Sequence, residues 1–120
     1  MQKEKTDLAV RTKRFALQII GFFTRLPRTP EAQVLGKQLL RSATSVGANY
    51  REAYRARSRA EFIAKGGDSL RELEESAYWL ELLIESGIAN PEQLQPLCKE
   101  CDELISIFVT ILKRSKENLS

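Results

Sequence analysis

Apolar residues recur at helical spacing in four stretches of this chain, and this pattern limits the possible fold more than any other feature. The four predicted helices cover residues 6–26, 30–56, 59–86 and 91–115. Strand signals are absent and the intervening segments are short. Since short loops place successive helices side by side in opposite directions, the pattern predicts an all-α, antiparallel up-down-up-down four-helix bundle.

The predicted helix ends are marked by capping residues. Thr29 and Asn90 each precede a proline, which gives an N-cap followed by proline at the first helical position. Ser58 begins a capping box, and Gly87 suits the left-handed residue that closes a helix. With 120 residues and neither a repeat nor a linker, residues 1–120 are predicted to form one domain.

The residue types that most catalytic sites need are missing. Histidine is absent, and no glycine-rich phosphate loop or GxSxG motif is present. Cys98 and Cys101 are three residues apart. A structural zinc site would need two further Cys or His ligands, and a thioredoxin-like redox site would need a βαβ fold. We predict that both cysteines are buried structural thiols, that no metal or cofactor binds, and that the protein is not an enzyme.

No apolar run reaches the length of a membrane span, and the N-terminus lacks a secretion signal, so we expect a cytoplasmic protein that does not enter membranes. Its charge is distributed unevenly. Residues 1–65 carry 14 basic against 5 acidic side chains, whereas residues 66–105 carry 2 against 10. This asymmetry predicts a polyanionic partner for the basic half, basic-to-acidic contacts between copies of the chain, or both.

Two rows of basic residues are candidates for binding nucleic-acid phosphates. At 100° per residue, one row follows helix 2 and the other flanks the apolar stripe of helix 1, and together they could form one wide basic surface. The candidates are Arg11, Arg14, Arg25, Lys37, Arg41, Arg51 and Arg55. The alternative is that these rows are solvated faces.

Two features predict contacts between copies of the chain. Helix 1 is apolar over more of its circumference than one core-facing stripe requires, so part of that surface is expected to meet another chain. On helix 3, Trp79 and Leu82 project away from the core row and are candidate interface residues, Trp79 alternatively packing at the bundle's edge.

Three sequence blocks resemble a known family. They are QLLRSATSVGANYREA at residues 38–53, RSRAEF at 57–62 and GDSLREL at 67–73. They are similar to the bacterial four-helix bundle proteins first named for reading frames within intervening sequences of 23S ribosomal RNA genes. A related branch includes the accessory variability determinant of diversity-generating retroelements. The typical motif glycine is replaced by Ala53, and Gly66-Gly67 is richer in glycine than is usual.

The resemblance implies a homopentamer with a basic surface that faces nucleic acid and, in the retroelement branch, association with a reverse transcriptase. It assigns motif positions to Arg41, Asn49, Glu52, Ser69 and Glu72. As a motif residue, Arg41 is alternatively expected to pair with Glu72 or with an acidic patch on a neighbouring copy instead of binding phosphate. Asn49 and Ser69 lie on or beside the core rows, where they are expected to be hydrogen-bonded. The leading hypothesis is an oligomeric accessory protein that binds RNA or DNA. The alternative is a structural or adaptor oligomer whose charged faces serve subunit assembly only.

Overall fold

The computed structural model describes residues 2–119, with side chains described for residues 8–118. It contains four helices, namely α1 (Gln2–Thr24), α2 (Pro30–Tyr54), α3 (Arg59–Glu85) and α4 (Pro91–Leu119). Each helix packs against the next in sequence, and α1 also contacts α4, which closes the bundle. The predicted four-helix bundle is confirmed. None of the helices within residues 2–119 combines the length and apolarity needed to cross a bilayer.

The predicted capping residues act as expected. Thr29 Oγ1 accepts the Ala32 amide at 3.4 Å, and Ser58 Oγ accepts the Glu61 amide at 3.0 Å. Asn90 Oδ1 accepts the amide of the second residue of α4 at 2.8 Å. Each bond satisfies an amide that the helix itself leaves unpaired. Gly87 has a φ of 80°, the left-handed region in which glycine is favoured.

The helix bounds differ from the prediction at both ends of the chain. α1 begins at Gln2 rather than at residue 6, and α4 continues to Leu119, whereas fraying was expected from Ser115 onward. Both extensions contain Lys and Glu, which favour helix, and neither shows apolar periodicity. α1 ends at Thr24, two residues before its predicted end. The amides of the next two residues donate to carbonyls three positions back, and the second of these residues is the buried Leu26. α2 and α3 also end slightly early.

The core follows the predicted apolar rows with local exceptions. Phe15, Ile19, Val46 and other row members are fully enclosed, and the Tyr50 ring meets the Phe108 ring edge-on at 5.7 Å. Ile20 is 42% exposed because it lies on the outer side of α1.

Small residues bring α2 and α3 close together along the seam between them. The hydroxyl oxygens of Ser42 and Ser76 are 2.7 Å apart, and Ser69 Oγ donates to the Val46 carbonyl at 2.9 Å. Because these buried hydroxyls are paired, the close approach avoids the cost of unsatisfied polar groups. The seam fixes which side of α2 faces outward, and that side carries the basic residues described next.

Candidate nucleic-acid interface

The outer side of α2 presents cations that have no acidic partner among the described side chains. Lys37, Arg51 and Arg55 are exposed, and none of them lies within 4 Å of a carboxylate in residues 8–118. They point outward because the buried residues of α2, including Leu39 and Val46, occupy the opposite side of the helix. A surface of this kind can contact phosphates.

Arg41 belongs to the same predicted row but is engaged within the molecule. Its guanidinium lies 3.4 Å from Glu72 and 2.7 Å from Glu75, both on α3. Of the two predicted roles, the structure shows the ion pair, and with Glu72 of the same chain. Arg41 therefore strengthens the α2–α3 seam, and a phosphate would have to compete with two carboxylates for it.

Arg11 is also paired, on the other side of the bundle. Its Nη2 atom lies 2.6 Å from Glu100 and 3.1 Å from Glu103, and its Nε donates to Glu100 at 3.0 Å. The hydrogen bond to Glu100 raises the pKa of Arg11, the charge of the two carboxylates adds to the effect, and partial desolvation opposes it. This fork of bonds joins α1 to α4.

The two basic rows do not form one wide surface, contrary to that expectation. Arg11 reaches α4 whereas Arg41 reaches α3, so the α1 row lies beside α4 and the α2 row lies on the side of α2 towards α3. Arg14 is exposed on α1, and Arg25 is exposed in the turn that follows this helix. The outer side of α1 between the rows presents exposed apolar side chains, with Leu17 57% exposed, together with the exposed Lys13. The largest group of neighbouring exposed cations is therefore the one on α2 and what adjoins it, and we take this group as the candidate interface.

Three arginines extend the α2 cations around the end of the bundle. Arg57, Arg59 and Arg114 are exposed and line one pocket where α2 ends, α3 begins and α4 finishes. We call Lys37, Arg51, Arg55, Arg57, Arg59 and Arg114 the basic surface. The last three were not predicted from the sequence, because helical periodicity stops at the α2–α3 turn beside Arg57 and Arg59, and because Arg114 lies on a different helix. The available signal was the density of arginine across residues 51–59.

The pocket itself has a volume of about 430 Å³ and combines the arginines with aromatic rings. Tyr54 is 46% exposed, and its ring centroid lies 6.3 Å from that of the buried Tyr50. Phe62 at the start of α3 and Ile111 on α4 complete the apolar wall. Cations and a half-exposed aromatic ring therefore lie in one concave site.

The remaining family-motif residues make contacts within the bundle. Asn49 Nδ2 donates to the Ser45 carbonyl at 3.0 Å, and Glu52 lies 3.5 Å from Lys65 on α3. Ser69 and Glu72 hold α3 to α2 through the bonds described above. The expectation that Asn49 and Ser69 are hydrogen-bonded is confirmed.

The cysteines lie at the α3–α4 seam and differ in burial. Cys101 is fully enclosed, and its thiol lies 3.3 Å from the Leu73 carbonyl. Burial raises the pKa of Cys101 to about 12. Cys98 is only partly buried, which corrects the prediction for that residue, and burial raises its pKa as well. Residues 8–118 contain no group of three or more His, Cys, Asp or Glu side chains that could hold a metal ion.

Trp79 is less available as an interface residue than the sequence suggested. It packs against the core cluster at the edge of the bundle, with its ring 5.3 Å from that of Tyr78, and its indole N–H is buried. Leu82 is partly buried. The aromatic that α3 exposes is Tyr78, at 53%.

Comparison with known proteins identifies the family. The family model described as 23S rRNA-intervening sequence protein matches residues 4–110. The chain belongs to this family. A solved protein of unknown function from the S23 ribosomal protein family of Bacteroides thetaiotaomicron VPI-5482 is 37% identical and superimposes with a TM-score of 0.85, over 91% of this chain and 97% of the other. No curated protein matches the chain.

Two departures from the usual 23S rRNA-intervening sequence protein pattern are accommodated without disrupting the helices. Ala53 is 1% exposed, and α2 continues past it to Tyr54. Gly66 lies against Leu112 of α4, and a β-carbon at Gly66 would stand 2.8 Å from Leu112 Cδ2. The first glycine therefore permits a close helix contact, while the adjacent Gly67 has open space around it.

Proposed function

We propose that this chain is a non-enzymatic, oligomeric accessory protein that binds RNA through phosphate contacts on its basic surface. The observation that carries the proposal is the set of exposed cations along α2 and its end, none within 4 Å of a described carboxylate. Such a surface supports binding that depends on salt and little on sequence. RNA is preferred over DNA because the matching family is described by 23S rRNA.

The electrostatics of the rest of the bundle favour this side for a polyanion. Arg11 and Arg41 are already paired with carboxylates, and α3 and α4 carry most of the acidic residues. A nucleic acid approaching α3 or α4 would therefore meet net negative charge, whereas α2 offers unpaired cations. This difference orients the partner on the bundle.

The test is binding of a labelled single-stranded RNA to the double variant Arg51→Gln/Arg55→Gln. Glutamine keeps good helix propensity, so the fold is retained. The slope of log affinity against log salt is about −0.7 for each phosphate contact to a single strand. Each lost contact therefore lowers the affinity about fivefold at 0.1 M salt, relative to 1 M salt. The double variant is expected to bind about 25-fold more weakly, for all RNA sequences alike.

The matched control is Arg71→Gln, which removes an exposed arginine that is paired with Asp68 on α3. It changes the net charge by one unit per subunit but leaves the basic surface intact. Its RNA affinity is expected to stay within about twofold of the unmodified protein. If each removed charge weakened RNA binding equally in the control and in the double variant, the assignment of RNA binding to the basic surface would be wrong. A duplex DNA of the same length tests the RNA preference.

We further propose that copies of the chain assemble through the outer side of α1. Val10, Leu17 and Ile20 are 48%, 57% and 42% exposed there, on the side away from the core. Apolar side chains grouped in this way are typical of a surface that meets another chain. The number of five subunits is a prediction of the family resemblance, and light scattering measures it.

The adaptor alternative is supported by the same apolar side chains and by the separation of charge between the two halves. It predicts assembly without RNA binding, so the salt titration of RNA binding discriminates between the two. Association with a reverse transcriptase stays a prediction of the resemblance to the retroelement branch, and a neighbouring reverse transcriptase gene with template and variable repeats would support it.

A further inference from the structure

The pocket at the end of the bundle has a chemistry that the rest of the basic surface lacks. The α2 cations offer charge alone, which any phosphate backbone satisfies. The pocket places Arg57, Arg59 and Arg114 around a concavity whose wall includes the half-exposed Tyr54 ring. Its volume of about 430 Å³ lies within the range of small-molecule sites.

We propose that this pocket binds one unpaired nucleotide of single-stranded RNA, with the base stacked on Tyr54 and its phosphate held by the arginines. The inference rests on the proposed RNA-binding function and adds its preferred substrate, a strand whose bases are free to leave the stack. A base in a duplex is already stacked and paired, and it cannot enter a pocket without being extruded.

The aromatic side of the pocket, formed by Tyr50 and Tyr54, is suited to stacking with a base. Tyr50 is enclosed in the core and braced edge-on by Phe108, and its ring stands 6.3 Å behind that of Tyr54. Tyr54 is the last residue of α2, so its position is fixed by the helix although nearly half of its surface is open. Ring faces accept any base, which fits binding with little sequence preference.

The cationic wall is suited to the phosphate. Arg57 belongs to the turn, Arg59 opens α3 and Arg114 comes from the last turns of α4, so three separate segments supply charge from different directions. The N-terminus of α3, capped by Ser58, adds a positive partial charge at the same place.

The test compares Tyr54→Leu with Tyr54→Phe in binding to a ten-nucleotide single-stranded RNA and to an RNA duplex of equal length. Leucine keeps an apolar side chain but removes the ring, so affinity for the single strand is expected to fall about tenfold. Affinity for the duplex should stay within twofold, and phenylalanine should restore single-strand binding. Tyr78→Leu, at the exposed tyrosine of α3, is the matched control and should change neither.

Titration with adenosine 5′-monophosphate tests whether the pocket also binds a free nucleotide that is not part of a strand. NMR signals of Phe62 and Ile111 should shift when it is added, and Arg57→Gln/Arg59→Gln should abolish the shift. If Tyr54→Leu binds the single strand as well as the unmodified protein does, while Arg51→Gln/Arg55→Gln binds it more weakly, the proposal for the pocket is wrong and the proposed function still holds. No binding of either RNA at low salt would overturn both.

Discussion

Two adjacent glycines in α3 provide a matched pair for testing the packing of the bundle. Both lie inside a helix, where replacing glycine by alanine contributes about 1 kcal/mol through the backbone. Their surroundings differ. A β-carbon at Gly67 would meet no atom within 4 Å, whereas one at Gly66 would stand 2.8 Å from Leu112 Cδ2.

The expected effects follow from this difference. Gly67→Ala should raise the free energy of unfolding by about 1 kcal/mol, which corresponds to a rise of about 4 °C in melting temperature for a domain of this size. Gly66→Ala gains the same backbone term but must displace the buried Leu112 methyl group, and overpacking of this kind costs about 1–3 kcal/mol. Its net effect should lie between zero and a loss of about 2 kcal/mol.

Urea denaturation monitored by circular dichroism measures both variants at a fixed protein concentration. Leu112→Ala supplies the control, because removing the displaced methyl groups should let Gly66→Ala recover its full backbone gain in that background. An equal stabilisation by Gly66→Ala and Gly67→Ala in the otherwise unmodified protein would refute the close α3–α4 contact.

The burial of the two cysteines and the exposure of Leu17 lead to three further predictions. At pH 8 a thiol reagent should label Cys98 and leave Cys101 unmodified until denaturant is added, since burial holds the pKa of Cys101 at about 12 and keeps it protonated; equal labelling in native buffer would contradict this. Cys101→Ala should cost about 1–2 kcal/mol in urea denaturation, and Cys98→Ala less. If copies of the chain assemble through the outer side of α1 as proposed, Leu17→Glu should lower the mass measured by light scattering while helicity is retained; an unchanged mass would contradict that interface.

The helices and caps could be predicted from sequence because they depend on nearby residues. Thr29, Ser58 and Asn90 each bond an amide two or three residues away, so the signal and its effect lie in the same short segment. The polar ends of α1 and α4 were missed because periodicity needs apolar residues, which those segments lack.

The candidate site was only partly predictable, since it depends on which helices are neighbours. Helical periodicity placed Arg51 and Arg55 on the outside of α2, but it could not separate the α1 row from the α2 row. Arg57 and Arg114 meet only because the end of α4 returns beside the α2–α3 turn. Arg11 was a candidate for binding phosphate, and its partner Glu100 is 89 residues away, a distance that no local pattern spans.

The central claim is tested most directly by the salt dependence of RNA binding. Affinity for a labelled single-stranded RNA, measured by fluorescence anisotropy between 50 and 400 mM salt, should fall linearly on a double-logarithmic plot. If five cations of the basic surface contact phosphates, the slope should be about −3.5, and Arg51→Gln/Arg55→Gln should reduce it to about −2. A slope near zero, or the same slope for both proteins, would contradict phosphate binding by this surface.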